Sequence, residues 1–167
     1  MLLKNLIKNI PYNKKGIKIS GISTNSKEVK KNFIFFAIKG NTLNGEKFIK
    51  DAISRGASVV ICSKNCQIRA KNILILKRKN LRYLLSQIAS KYYKLKPKNI
   101  IAVTGTNGKT SVADLFYQIL NNCRIPVASI GTLGIKYRNK IINTGLTSPD
   151  TISIHKYLSL NLQNRIF

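Results

Sequence analysis

The stretch Ile100–Ser111, I-I-A-V-T-G-T-N-G-K-T-S, constrains this chain more than any other. An apolar run of strand type leads into two glycines, and Lys109 and Thr110 then open a segment of helical period. Glycine permits the sharp backbone reversal that lets successive amides converge on one point. A helix start adds unpaired N–H groups and the positive end of the helix dipole. Together they suit the phosphates of a nucleotide, and the candidate residues are Gly105, Thr106, Asn107, Gly108, Lys109, Thr110 and Ser111. Lys109 can reach the outer phosphates as a point charge, and the Thr110 hydroxyl can ligate Mg²⁺. The spacing is G-x-x-G-K-T, a shortened form of G-x-x-x-x-G-K-T, with Val103 where the longer loop has its first glycine. A ligand-free Gly-rich turn is the plainer alternative. The flanking strand, the helix and Asn107 all favour the phosphate loop.

The loop sits inside a repeating pattern. Val127–Ile130 reads as a second strand, so that Ile100–Thr104, the helix Lys109–Asn122 and Val127–Ile130 form a βαβ unit and imply a parallel sheet. Upstream, Lys18–Ser23, Phe33–Ile38, Ser58–Cys62 and Ile73–Leu76 read as strands. Gly45–Arg55 reads as a helix ending at Gly56, and Asn80–Tyr93 as an amphipathic helix. The spacing of Leu2, Leu3, Leu6, Ile7 and Ile10 predicts a further helix over Met1–Ile10, ended by Pro11. The polar stretch Lys94–Lys98 around Pro97 is the best domain boundary. The expected fold class is therefore α/β: a small N-terminal α/β domain over 1–96, then the beginning of a P-loop parallel α/β domain over 97–167. A last helix is expected from Thr147, with Pro149 early in it.

Composition narrows the function classes. With 44% hydrophobic residues the chain can bury a core, so global disorder is excluded. No run approaches the roughly 18 apolar residues of a membrane span, and the N-terminus lacks an h-region and a cleavage site. No membrane partner and a cytoplasmic location are expected. Thirty Lys and Arg against five Asp and Glu give a formal charge of +25, which would ordinarily suggest nucleic acid. The lysines are spread through the chain, however, and Asn and Ile are enriched with them. All three residues use AT-rich codons, so codon drift covers every enrichment and nucleic-acid binding covers only one. A basic nucleic-acid-binding protein is the weaker reading. Cys62, Cys66 and Cys123 form no metal framework and are expected to be reduced thiols.

The octapeptide T-G-T-N-G-K-T-S resembles the ATP loop shared by Mur ligases and folylpolyglutamate synthetases. Gly21–Ile53 is similar to the Mur N-terminal pattern: Asn25-Ser26-Lys27 stands at its D-S-R, Lys31–Lys39 with Gly40 at its G-D-L-F-V-A-x-x-G, Asn44-Gly45 at its D-G, and Gly56-Ala57 at its G-A. Asn25 and Lys27 depart from the family's Asp and Arg, losing a carboxylate and a bidentate donor. Ser129–Gly134 and Leu146–Asp150 resemble the branch that adds the third amino acid of the peptide.

The resemblance implies an ATP- and Mg²⁺-dependent ligase of peptidoglycan precursor synthesis. Its partners would be UDP-N-acetylmuramoyl-L-Ala-D-Glu and a diamino acid (meso-diaminopimelate or L-lysine), joined through an acyl phosphate by an enzyme acting as a monomer. Thr24 and Ser26 would contact the uridine end, Asn41, Thr42 and Leu43 would line the UDP pocket, and Thr147 and Ser148 would meet the muramoyl peptide. Each position also has a structural reading. Ser26 suits a turn, Thr147 and Ser148 suit a helix cap before Pro149, and Asp150 suits a first-turn carboxylate rather than a catalytic group. His155 reads as a surface or half-buried helix residue. By the resemblance, the Mg²⁺-binding glutamate, the carbamylated lysine and the amino-acid-selecting domain lie past Phe167, so no catalytic residue is assignable here. A chain truly ending there is expected to be a catalytically inactive remnant.

Overall fold

Four of the apolar runs in the first ninety residues become parallel strands. In the computed structural model, which describes residues 1–40, 43–138, 140–143 and 150–163, the chain divides into two units, Met1–Tyr92 and Tyr93–Phe167. In the first, β1 (Gly21–Ser23), β2 (Phe33–Phe36), α1 (Ile49–Ser54), β3 (Ala57–Ser63), β4 (Leu74–Arg78) and α2 (Leu81–Tyr92) follow one another. The sheet order is β1-β2-β3-β4, parallel throughout, with Ile22 opposite Ile34, Ile34 opposite Val59 and Val60 opposite Ile75. A parallel sheet is covered on both faces, which explains why its strands read as unbroken apolar runs. Phe35, Val60 and Cys62 pack with Val29, Ile49, Ala52 and Cys66 on one side. The alternate residues Ile34, Phe36, Val59 and Ile61 are fully buried on the other.

Two expectations change here. Gly45–Arg55 is not one regular helix: Gly45–Phe48 is a 3₁₀ turn, and α1 begins only at Ile49. The turn is tight because Gly45 lies so close to the preceding chain that a Cβ there would stand 2.6 Å from the Ile38 carbonyl oxygen. The N-terminal helix is also absent. Only Leu3–Asn5 makes a 3₁₀ turn, while Leu2 bridges Lys18 and the Leu3 N–H donates to the Ile17 carbonyl. Leu3, Leu6 and Ile7 are nevertheless buried. Their apolar spacing serves core burial, but pairing with residues 15–19 takes up the backbone groups that a helix would have used.

The second unit contains α3 (Lys109–Asn122), β5 (Ala128–Gly131), β6 (Gly134–Tyr137), β7 (Lys140–Ile142) and α4 (Thr151–Gln163). Its three strands form an antiparallel meander, with Ile130 opposite Ile135 and Ile135 opposite Ile142. This corrects the expected βαβ unit. Val127–Ile130 does supply a strand, shifted by one residue, but it pairs with the strand after it. Ile100–Thr104 forms no strand at all; Ile100, Ile101 and Val103 are 59%, 66% and 38% exposed. A strand exists only through a ladder partner, and among the described residues none lies beside this run. Asp114 on α3 and Lys136 on β6 form a half-buried ion pair that joins helix to meander.

Candidate functional site

Two places gather the residues singled out above, one in each unit. In the second, the chain turns at Gly105 (φ +150°) and Gly108 (φ +76°), the left-handed region that glycine alone enters freely. α3 then starts at Lys109, and the Val112 N–H donates to the Gly108 carbonyl at 2.9 Å. Gly108 gives the helix no side-chain cap, and its first turn carries no acidic residue. The positive helix end with its unpaired amides thus faces outward. Lys109 folds back over the loop, its ammonium donating to the carbonyls of Gly105 and of Thr106, the latter at 2.9 Å. Thr106, Asn107, Thr110 and Ser111 are all exposed around it. The arrangement fits an anion of phosphate size: open amides, a positive helix end, and a lysine held beside them. For Mg²⁺ the chain offers the Thr110 hydroxyl. Among the described residues no group of three His, Cys, Asp or Glu could hold a metal unaided, so the remaining ligands would be phosphate oxygens and water.

In the first unit the neighbouring strands β1 and β2 end side by side, and the turns that leave them lie along one edge of the sheet. The carboxyl ends of parallel strands are where open α/β sheets take ligands. Thr24 comes directly after β1 and is exposed. Ser26 opens a 3₁₀ turn, Ser26–Glu28, capped by the Asn25 side chain, which accepts from the Lys27 N–H at 3.1 Å. Ser26 is buried, and its hydroxyl lies on the side of Asp51 of α1. The Ser26 hydroxyl and then the Arg55 guanidinium, 2.9 Å away, hold the Asp51 carboxyl below its ordinary range. Leu43 is 62% exposed in the turn after β2. Asn41, Thr42, Thr147 and Ser148 lie outside the described residues.

The structure refines the reading of several further residues and adds one contact that the sequence did not announce. Asp150, expected inside the first turn of the last helix, is its cap: the amides of Ile152 and Ser153 donate to Oδ1 at 2.8 and 3.1 Å, and the Ser153 hydroxyl to Oδ2 at 2.6 Å. The helix therefore begins at Thr151 rather than Thr147. His155 is half-buried there, and burial lowers its pKa from the ordinary 6.5. Cys62 and Cys66 are free and buried; burial and the neighbouring Cys66 thiol push Cys62 up to about 12. Such a thiol is unreactive at neutral pH. Glu46 accepts hydrogen bonds from the Ser63 N–H at 3.3 Å and its hydroxyl at 2.6 Å. Nothing in the local pattern N-G-E announces a partner seventeen residues on.

A chain that carries both a parallel α/β unit and a glycine-turned anion loop defines a class, and family comparison names it. The model described as "Mur ligase family, catalytic domain" matches residues 18–93, and "Mur ligase middle domain" matches residues 103–166. The chain belongs to the Mur ligase family. It is 36% identical over 143 residues to the UDP-N-acetylmuramoyl-L-alanyl-D-glutamate–2,6-diaminopimelate ligase of Brucella melitensis, covering 86% of this chain and 29% of that protein. The second such ligase of Clostridium acetobutylicum is 38% identical over 157 residues, covering 90% of this chain and 32% of that protein. The Rickettsia montanensis ligase is 41% identical over 143 residues, covering 83% and 29%. A solved structure of a ligase with the same description shares the fold, with a TM-score of 0.81 at 23% identity, over 98% of this chain and 34% of that one. The chain thus spans about a third of the length of the relatives it matches.

Proposed function

We propose that this chain forms the nucleotide-sugar and ATP-loop portion of a ligase that joins a diamino acid, meso-diaminopimelate or L-lysine, to UDP-N-acetylmuramoyl-L-Ala-D-Glu. The carrying observation is the Gly105–Ser111 loop, with its outward amides and the Lys109 ammonium held over it. Residues 1–96 would hold the UDP-sugar peptide and residues 97–167 the ATP. ATP supplies the phosphoryl group that turns the glutamate carboxylate into an acyl phosphate, which the amine displaces to form the amide, releasing ADP and phosphate. Lys109 and the loop amides balance charge on the β- and γ-phosphates. Thr110 offers its hydroxyl to Mg²⁺. Thr24, Ser26, Asn41, Thr42 and Leu43 orient the UDP end, and Thr147 and Ser148 the muramoyl peptide. The enzyme would act as a monomer in the cytoplasm.

The uncovered apolar residues Ile100, Ile101, Val103, Leu115 and Ile119 favour a second reading: the 167 residues bind the nucleotide sugar but do not turn ATP over by themselves. One experiment separates the two. The polypeptide is given ATP, the UDP-muramoyl dipeptide and diaminopimelate, and both ADP release and dipeptide binding are followed. ADP release that needs both co-substrates supports the ligase. Binding without ADP release supports the second reading, and failure of both sinks the assignment.

A further inference from the structure

We propose that Glu46 is a positioning residue: it ties the turn between Lys39 and Asn44 to the end of β3, and so sets the affinity of the nucleotide-sugar site at this sheet edge. This deepens the function proposed above and rests on it. The turn leaves β2 and closes on itself through the Lys39–Asn44 bridge and the Gly40 N–H, which donates to the Leu43 carbonyl at 2.8 Å. Lys39, Gly40 and Leu43 are exposed, and backbone hydrogen bonds at exposed positions are the first to open in local unfolding. Two ties hold its ends. On one side the Arg82 guanidinium, at the start of α2, donates to the Lys39 carbonyl at 3.4 Å, near the limit of a useful bond. On the other, Asn44 Oδ1 accepts from the Glu46 N–H at 3.1 Å, and Glu46 Oε1 accepts from both the N–H and the hydroxyl of Ser63, the last residue of β3. The Glu46 tie is the stronger, being doubled and charge-assisted.

The charge balance supports this role. The chain has five acidic side chains against thirty basic ones, yet among the described residues the Glu46 carboxylate forms no ion pair. It serves as an acceptor fixed on β3 instead. Lys39, Asn44, Glu46, Ser63 and Arg82 together line an open cleft of about 540 Å³, so loosening this tie changes the wall that a ligand at the sheet edge meets. An amide oxygen can accept the same two hydrogen bonds, so the role predicts that Gln can replace Glu.

The test compares Glu46→Ala, Glu46→Gln and Ser63→Ala in the whole polypeptide. Affinity for UDP-N-acetylmuramoyl-L-Ala-D-Glu should fall about tenfold in Glu46→Ala and stay within about twofold in Glu46→Gln, with ATP affinity unchanged in both. Amide exchange at Gly40 and Gly45 should speed up in Glu46→Ala and recover in Glu46→Gln. Adding Ser63→Ala to Glu46→Ala should cost little more, because the two act through one contact. Unchanged exchange and affinity in Glu46→Ala would overturn the proposal. So would a Glu46→Gln protein as impaired as Glu46→Ala, which would mean that the charge meets the ligand directly. If the wild type itself fails to bind the nucleotide sugar, the functional reading falls, and the exchange at Gly40 and Gly45 alone decides whether Glu46 ties the turn.

Discussion

The two units spend comparable apolar sequence very differently. In Met1–Tyr92 the alternation of strand and helix closes on itself, and Ile34, Phe35, Phe36, Val59, Val60 and Ile61 are fully buried. In Tyr93–Phe167, among the described residues, only Tyr117 and Ile135 join the buried apolar set. The apolar stripe of α3 is uncovered, with Val112, Leu115, Phe116 and Ile119 each 43–59% exposed. The lesson is about range. A helix makes its backbone hydrogen bonds within itself, so α3 runs over the residues its pattern names. A strand borrows its hydrogen bonds from a partner, so Ile100–Thr104 has strand composition without being a strand.

The largest expected break in this comparison comes from truncating one residue in each unit. Phe35→Ala should cost about 3–5 kcal/mol of unfolding free energy, while Leu115→Ala should stay within about 0.5 kcal/mol, both read by denaturant melts. An equally costly Leu115→Ala would mean that α3 is packed in solution, and the contrast would collapse. Next in size, Lys109→Ala should weaken ATP binding by about 1.5–3 kcal/mol and leave the melting of the first unit unchanged, as equilibrium dialysis and calorimetry would show. Equal affinity in the variant would remove the phosphate role from the loop. Smaller still, Asp150→Ala should destabilise α4 by about 1 kcal/mol, seen as faster amide exchange at Ile152 and Ser153.

The smallest effect is the difference in pH response. His155 has a lowered folded pKa, so its neutral form is favoured by the fold. The stabilisation is present above the ordinary 6.5 and is lost as pH falls through the lower folded value. Asp51 in the first unit also has a lowered pKa, from Ser26 and then Arg55. Its contribution is present above 3.8 and is lost only as pH drops below that. Acid titration followed by amide exchange should therefore loosen the second unit first, and His155→Gln should remove the earlier, less acidic step. Simultaneous loosening of both units would sharpen the comparison in the opposite direction, toward one cooperative molecule.

The candidate site was legible in sequence to the extent that it is local. The loop Gly105–Ser111 and the helix after it are contiguous residues whose backbone conformations follow from glycine and from helical period, and α3 runs over Lys109–Asn122 as expected. The four strands of the first unit were legible too, within a few residues at their ends, because short apolar runs suit a sheet covered on both faces. Choice of partner was beyond the reach of local pattern. The apolar spacing of Met1–Ile10 is equally consistent with a helix and with the segment that pairs with residues 15–19. Asp150 has the chemistry of a cap, and so do Thr147 and Ser148. Only the position of the first helical turn selects among them.

The sequence by itself determined the family, the glycine turns before α3, α3 itself and the four strands of the first unit, because each depends on residues within a few positions of one another. Tertiary structure alone decided that Lys136 pairs with Asp114, that β2 pairs with β3, and that Glu46 reaches Ser63. These are meetings of groups far apart in the chain, and one partner is selected over another by the whole packed arrangement that brings them within hydrogen-bond distance.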